Sequence, residues 1–290
     1  MRRPFSFIAA LMILAASAIP AGAQNKNEEL FYIINYTISR CDAEIELNGI
    51  TMTRSEKKTQ YTVTGVSDVS MWITPGENTV AVTLRPIAKQ KDLTAKPSIS
   101  ISVSTAKKGE MSDEGKKIME WRIPEKETDT ELDSITSPVF IKKSFTPSYI
   151  PPSELWDKIK PVKLDAASRK EIKKLVRNYH TAFMKKDVDA IYGFLLFASM
   201  DVARLRHQPA DEVTTKMKPA LKDMFSEKDF IMAPLDTEKL VMKPVLDGRV
   251  IQVTDRFGEA PVKTKTTKDS GSTSFPVFVS IVGGKWIIVR

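Results

Sequence analysis

The chain has 290 residues, of which 42% are hydrophobic and 28% charged, so it can bury a core and wholesale disorder is excluded. The length suits two domains of ordinary size better than one. One cysteine excludes an internal disulfide framework and a cluster of cysteine metal ligands, and two histidines leave little room for histidine-based zinc chemistry. Phosphate-loop, His-Glu-x-x-His and calcium-loop motifs are absent from the sequence, so we expect neither a metal nor a cofactor.

Residues 1–23 are typical of a cleaved secretory signal peptide. They begin with two arginines after the initiating methionine, continue with a mostly apolar stretch over residues 5–19, and end with the small residues Ala21 and Ala23 before Gln24. The apolar stretch is shorter than the ~20 residues that span a bilayer, which disfavours a membrane anchor. The sequence therefore predicts cleavage between Ala23 and Gln24, and a bacterial periplasmic or secreted protein with no integral membrane segment after cleavage.

Residues 24–146 are rich in short stretches that alternate apolar and polar side chains, as half-buried strands do. The clearest alternation covers residues 98–104, and Asn48-Gly49 marks a tight hairpin turn. Strands are predicted at residues 30–39, 44–47, 50–52, 60–66, 69–74, 79–84, 98–104, 117–123 and 139–145. Several short strands separated by turns predict an antiparallel β-sandwich, and the pattern resembles immunoglobulin-like accessory domains.

Residues 147–164 contain four prolines, which prevent regular helix and sheet and stiffen the segment. We predict that this segment is the linker between two domains. Leu155, Trp156 and Ile159 still allow it to dock on a neighbouring domain.

Residues 165–290 change character, because three helical patterns come first and strands follow. Ile172, Val176, Tyr179 and Phe183 make one apolar stripe at helical spacing. Asp165 or Ser168 is suited to cap this first helix, and Asp187 the second; a third helix starts near Pro209, with Pro219 as a kink. Strands are predicted at residues 239–246, 249–255, 274–282 and 285–289. Helices followed by an antiparallel sheet make an α+β domain.

Two parts of this region carry a resemblance to a known family. The run 172–196, which includes Tyr179-His180-Thr181-Ala182-Phe183, and the ending Gly283-Gly284-Lys285-Trp286-Ile287-Ile288-Val289 resemble the nuclear-transport-factor-2-like superfamily of SnoaL-like, cystatin-like α+β cones. The resemblance covers the C-terminal domain alone. It implies a curved sheet that wraps the first helix and leaves a pocket at its open end. Such cones include isomerases and dehydratases as well as binding modules and catalytically inert proteins.

The positive charge is concentrated in residues 165–290, where 22 basic and 16 acidic residues give +6. Export disfavours nucleic acid as the partner, and a protein or an anionic envelope component fits the charge better. In an oxidising compartment, Cys41 is either a small buried apolar residue or a disulfide partner of another chain. The basic residues of the first helix are expected to form a solvated face; they are Arg169, Lys170, Lys173, Lys174 and Arg177.

The resemblance also implies where a catalytic carboxylate would lie, because enzymes of this type bury one inside the cone, where its pKa rises toward that of a useful base. Asp255 is the candidate base, since alternation along its strand puts it on the same face as Ile251 and Val253. We favour the simpler interpretation, in which Asp255 ends the strand and pairs with Arg256 in a turn, and keep the catalytic base as the alternative. His180 lies beside the apolar stripe, either at a pocket rim or on the surface.

Three aromatic residues, Tyr179, Tyr192 and Trp286, are candidates for ligand contacts, although core packing is the default interpretation of each of them. Our leading hypothesis is an exported, non-enzymatic binding or interaction protein, of which an inhibitor or immunity-type protein is one version. The alternative is a small-molecule isomerase, dehydratase or hydrolase that uses Asp255 as its base. An interior plugged by Phe, Met and Trp side chains would favour the binding protein.

Overall fold

The computed structural model describes residues 29–55, 62–85, 97–110, 114–125, 137–266 and 271–290. The predicted signal peptide and its cleavage site lie outside these residues. The described chain is a mixed α+β protein with a β-rich region followed by a helical region. Its contacts define two compact units, one within residues 27–152 and the other within residues 153–290.

The first unit consists of strands in two four-stranded antiparallel sheets. The first sheet has the strand order β4-β1-β6-β7, and the second has the order β3-β2-β5-β8. The strands in chain order are β1 Leu30–Ser39, β2 Asp42–Leu47, β3 Ile50–Arg54, β4 Thr62–Asp68, β5 Asn78–Arg85, β6 Ser98–Lys107, β7 Lys116–Ile123 and β8 Val139–Phe145.

Alternation explains how these strands build a core. Ile34 and Ile101 of the first sheet, and Ile45 and Val82 of the second, are all 0% exposed, while their chain neighbours face the other side. The predicted turn at Asn48-Gly49 joins β2 to β3. Both residues have positive φ, 51° and 82°, as the tight hairpin requires.

One predicted strand is wrong. Residues 69–74 alternate in sequence, but they form a 3₁₀ turn over Ser70–Trp72. The buried side chain of Asn78 closes the following loop, because it accepts a hydrogen bond from the backbone N–H of Thr74 and donates one to the Thr74 carbonyl, both at 2.9 Å. Local side-chain hydrogen bonds of this kind compete with strand pairing.

The second unit begins with helices and ends with strands. Its main sheet has the order β14-β13-β10-β9, and β11 pairs with β12. The helices are α1 Glu154–Lys158, α2 Ala166–Met184, α3 Val188–Leu205 and α4 Ala210–Ser226, and the strands are β9 Val241–Val245, β10 Val250–Thr254, β11 Val262–Lys263, β12 Ser274–Phe275, β13 Val277–Val282 and β14 Lys285–Ile288.

The helix starts follow from their capping residues. Asp165 rather than Ser168 caps α2, accepting the backbone N–H of Ser168 at 2.9 Å, and Asp187 caps α3 through the N–H of Ala190 at 3.0 Å. The apolar stripe of α2 packs in one core with residues of α4 and of the main sheet. No helix among the described residues is long and apolar enough to cross a membrane.

Two predictions about proline need correction. The segment 147–164 contains the helix α1, which Ser153 caps by accepting the N–H of Leu155 at 3.1 Å, because its four prolines all lie outside the helical turn. The strand predicted at residues 274–282 is broken at Pro276, since proline has no N–H to donate to the ladder.

Candidate functional site

The interior of the second unit is filled by side chains. The ring of Phe183 packs against that of Phe275 with centroids 4.1 Å apart, and Tyr179 lies edge-on to Phe183 at 5.0 Å. These rings belong to an aromatic cluster of Tyr179, Phe183, Phe194, Phe225, Phe230 and Phe275. The same core contains four buried methionines, Met217, Met224, Met232 and Met242. Apolar side chains of the helices and of the sheet therefore form the core of the second unit.

Tyr179 belongs to this core. It is 1% exposed, and burial raises the pKa of its hydroxyl well above the usual range. A phenol that stays protonated at all ordinary pH values does not act as a base. The buried position makes Tyr179 a packing residue.

His180 and Tyr192 each make a polar contact outside that core, although the ring of Tyr192 also packs against it. The Nε2 of His180 is 2.8 Å from the carbonyl oxygen of Ala233, so this nitrogen donates. The ring of Tyr192 has the ammonium of Lys218 4.8 Å from its centroid, and Lys218 also pairs with Asp189 at 2.6 Å. Both residues thus hold neighbouring segments in place through local contacts.

Trp286 lies on β14 directly after Gly283-Gly284, which have positive φ values of 58° and 77° and form the predicted hairpin. Its ring is partly buried and packs against the edge of the core. Tyr192 is likewise partly buried and packed against this core.

Asp255 follows the last residue of β10, and three donors fix its carboxylate. Its carboxylate accepts the backbone N–H groups of Phe257 at 2.8 Å and Glu259 at 3.0 Å, and it pairs with Lys263 at 2.9 Å. Its ion-pair partner is therefore Lys263, whereas the predicted partner Arg256 stacks on Phe257 with its guanidinium carbon 4.6 Å from the ring centroid. Partial burial alone would raise the pKa of Asp255, but the Lys263 and backbone hydrogen bonds outweigh burial and hold this pKa below its usual value.

The candidate residues do not form one catalytic constellation. None of the hydrogen bonds and ion pairs among the described residues joins two of the five, which are Tyr179, His180, Tyr192, Asp255 and Trp286. A general base needs a raised pKa and a helper within hydrogen-bond reach. Asp255 has a lowered pKa and is surrounded by structural donors.

Two of the basic residues of α2 contact the neighbouring 3₁₀ turn Thr237–Lys239. Lys173 pairs with Glu238 at 2.6 Å, and Arg177 donates to the hydroxyl of Thr237 at 3.0 Å. Both contacts hold the 3₁₀ turn Thr237–Lys239 beside the helix. This face therefore offers fewer free cations than its sequence indicates.

A buried ion pair was not foreseen from the sequence. Asp201 on α3 and Arg290 are 2% and 7% exposed, and their side chains approach to 2.7 Å. Asp201 also accepts the hydroxyl of Ser153 at 2.7 Å and the backbone N–H of Glu154 at 2.6 Å. Burial lowers the pKa of Arg290, and the charge of Asp201 opposes that effect. The pair ties the start of α1 to α3 and to the strand end after β14.

An exposed sheet edge lies in the first unit. β8 is at the end of the second sheet, pairs only with β5 among the described strands, and has Phe140 61% exposed. Val139, Ile141 and Lys143 share the face that is fully buried on β5, yet Val139 is 38% exposed. The sequence identified this strand but not its position at an edge. The adjacent lysines Lys142 and Lys143, which interrupt an otherwise apolar alternation, are the signal that indicates it.

A polar cleft of about 670 Å³ lies at one end of the first sheet. Its walls contain hydroxyl groups, one arginine and one glutamate, from Thr37, Ser98, Ser100, Arg122 and Glu125. The described residues contain no group of three His, Cys, Asp or Glu side chains that could hold a metal ion.

Comparison of the chain with family models, curated proteins and solved structures found no match. The two resemblances drawn from the sequence therefore stay predictions, and the argument for function has to rest on the site geometry.

Proposed function

We propose that this chain is an exported, two-domain binding protein without catalytic activity, of which an inhibitor or immunity-type protein is one version. In this proposal the two sheets of the first unit pack as an immunoglobulin-like β-sandwich. The second unit is a cone of the nuclear-transport-factor-2-like type, with its mouth closed by its own side chains.

One observation carries the proposal, namely the occupied interior of the second unit. Phe183, Phe225 and Phe275 are each at most 8% exposed and stand in contact where a substrate pocket would be expected. A catalytic cone has to keep that space open for its substrate. In this proposal the protein therefore binds its partner through its outer surface.

The environment of Asp255 supports the same conclusion. Its lowered pKa keeps it ionised, and its oxygens already accept hydrogen bonds from Phe257, Glu259 and Lys263. The enzyme alternative needs a carboxylate with a raised pKa facing a cavity, so it has no support from this residue.

The test uses the purified chain immobilised and exposed to an envelope extract of the organism that encodes it. We expect a saturable protein or envelope partner that free chain competes away and that Asp255→Ala retains undiminished. A small-molecule turnover that Asp255→Ala abolishes, with its folding intact by circular dichroism, would overturn the proposal and establish the enzyme alternative.

A further inference from the structure

We propose that β8 binds an extended acidic segment of a partner protein, which adds to the second sheet as a fifth strand. This inference rests on the proposed binding function, and it specifies the surface, the mode of pairing and the charge of the partner. It is carried by the backbone direction, the exposure and the charge of the β8 residues.

Among the described strands, none pairs with the backbone groups of β8 on the side away from β5. The N–H of Asn48 donates to the carbonyl of Thr79 at 2.9 Å, and the N–H of Thr79 donates to the side-chain oxygen of Asn48 at 2.9 Å. The backbone of Thr79 thus points away from β8, so its partner Ser144 is in a pair without mutual backbone hydrogen bonds. By alternation, Phe140, Lys142 and Ser144 direct both their N–H and C=O groups to the free edge.

The side chains of β8 define what an added strand should carry. On one face, the partly exposed Val139 and Ile141 continue the buried surface of β5 and leave room for apolar side chains. On the other face, Phe140 and Lys142 are exposed. An added strand should therefore alternate apolar residues, facing Val139 and Ile141, with acidic residues, facing Lys142.

The positive charges of β8 are available for such a partner. The ammonium of Lys143 donates to the backbone carbonyl of Glu120 at 3.0 Å, which leaves its charge uncompensated by a carboxylate at that contact. Lys142 forms no ion pair within the described part of the chain. The acidic residues of the fifth strand would lie on the face of Lys142 and bring the carboxylate that Lys142 lacks among the described residues.

A second copy of this chain fits the edge less well. Two β8 strands related by a two-fold axis would run antiparallel, and a register centred on the strand would place Lys142 or Lys143 of one copy opposite the same lysines of the other. Like charges directly opposite each other destabilise a sheet. The charge pattern therefore favours an acidic partner over self-association.

The experiment measures fluorescence anisotropy of two rhodamine-labelled, end-blocked peptides with the full chain. One peptide alternates valine with glutamate, and the other alternates valine with lysine. We expect saturable binding of the glutamate peptide and at least about tenfold weaker binding of the lysine peptide. Analytical ultracentrifugation of the chain alone reports on self-association in the same buffer.

Two variants separate charge from backbone pairing. Lys142→Glu should weaken binding of the glutamate peptide at least about threefold and strengthen binding of the lysine peptide. Lys116→Glu on β7 should change the affinity for neither peptide. Ser144→Pro removes an outward N–H and leaves the backbone hydrogen bonds to β5 in place, so it should abolish binding of the glutamate peptide. Ser144→Ala loses the same side-chain contact with Thr79 of β5 but keeps the N–H, so it should retain binding. Thermal melts verify that each variant is folded.

The outcomes distinguish this inference from the function on which it rests. Equal binding of both peptides, no binding of either, or full binding by a folded Ser144→Pro variant would overturn strand addition at β8. If the chain dimerises and Ser144→Pro abolishes the dimer, a second copy of the chain occupies the edge of β8, and the proposal of an acidic partner is overturned. If strand addition fails while the envelope partner is still captured, the binding function stands and a different surface performs it.

Discussion

Cys41 illustrates how position decides the chemistry of a single residue. Its side chain is 7% exposed and its thiol lies 3.8 Å from the carbonyl oxygen of Ser98. Burial, with a smaller contribution from the neighbouring Asp42, raises the pKa of Cys41 to about 12. Since the thiolate is the reactive species, this environment favours the interpretation as a buried apolar residue over a disulfide to another chain.

We therefore expect Cys41 to resist labelling in the folded chain. Compared with an unfolded cysteine of pKa near 8.5, its thiolate population at pH 8 is lower by roughly a thousandfold. Reaction with Ellman's reagent should be slow in buffer and fast in guanidinium chloride. Labelling in buffer at the rate of the denatured chain would show that the thiol is accessible.

Asp255 should contribute to stability above pH 4 and lose that contribution in acid. Its pKa is lower in the folded chain than in the unfolded one, so protonation favours unfolding as the pH falls below the ordinary carboxyl range. Asp255→Asn should cost about 0.5–1 kcal/mol at pH 7, because the charge-assisted bonds to Lys263 weaken. The difference from the parent chain should vanish at pH 2.

Urea unfolding at a series of pH values measures this effect. Asp229→Asn, at an exposed carboxylate, serves as the matched control and should leave the free energy of unfolding unchanged at every pH. If the free energy of unfolding of Asp255→Asn stays below that of the parent chain by the same amount from pH 7 to pH 2, the charge of Asp255 does not contribute to stability.

Among the structural elements, the closing hairpin and α2 contribute very differently to the core. Phe183 on α2 is 1% exposed and contacts four other rings of the aromatic cluster, whereas Trp286 on β14 is only partly buried. Phe183→Ala should cost roughly 3–5 kcal/mol, the usual range for truncating a buried aromatic residue. Trp286→Ala should cost about 1–2 kcal/mol, in proportion to its smaller buried area.

Guanidinium unfolding of both variants decides this point. Core packing is one of the two roles that the sequence predicts for Trp286, and a fully buried ring would make Trp286→Ala as costly as Phe183→Ala. Equal losses in the two variants would restore that interpretation and place Trp286 in the core.

The elements also show where prediction from sequence succeeds. The apolar stripe of α2 is a local pattern, so the sequence predicts this helix and narrows its cap to Asp165 or Ser168, of which Asp165 is the cap. Alternation likewise predicts β1 and β8 with their correct bounds. The 3₁₀ turn Ser70–Trp72 is wrongly predicted as part of a strand, because an alternating pattern does not record the hydrogen bonds that join Thr74 to Asn78. The pair of Asp201 and Arg290 was missed because no local pattern records a contact between residues so distant in sequence.

For the whole molecule, the main departure from the sequence prediction concerns the segment between the units. The predicted linker covers residues 147–164, whereas the second compact unit already begins at Ser153. Leu155 and Ile159 are 0% and 2% exposed, and the N–H of Val162 donates to the carbonyl of Gly248 at 2.9 Å. Most of the proline-containing segment is thus part of the second unit.

This boundary predicts which fragment of the chain can fold. A fragment of residues 153–290 should give a cooperative thermal transition, whereas residues 165–290, which match the boundary predicted from sequence, should be less stable by at least about 3 kcal/mol. The shorter fragment loses the burial of Leu155 and Ile159 and removes two of the donors that Asp201 accepts. Its buried carboxylate would then keep only Arg290 as a partner.

Ser153→Ala in the longer fragment isolates the polar part of this effect. It should cost about 1–3 kcal/mol, because it removes the hydroxyl that donates to Asp201 and the cap of α1.

Differential scanning calorimetry of the three proteins measures these differences. Equal transition temperatures for the fragments starting at 153 and 165 would mean that α1 contributes nothing to the second unit, and an unfolded longer fragment would mean that this unit does not fold by itself. The expected order places the fragment 153–290 highest, its Ser153→Ala variant next and the fragment 165–290 lowest, because each step removes further partners of the buried Asp201 carboxylate.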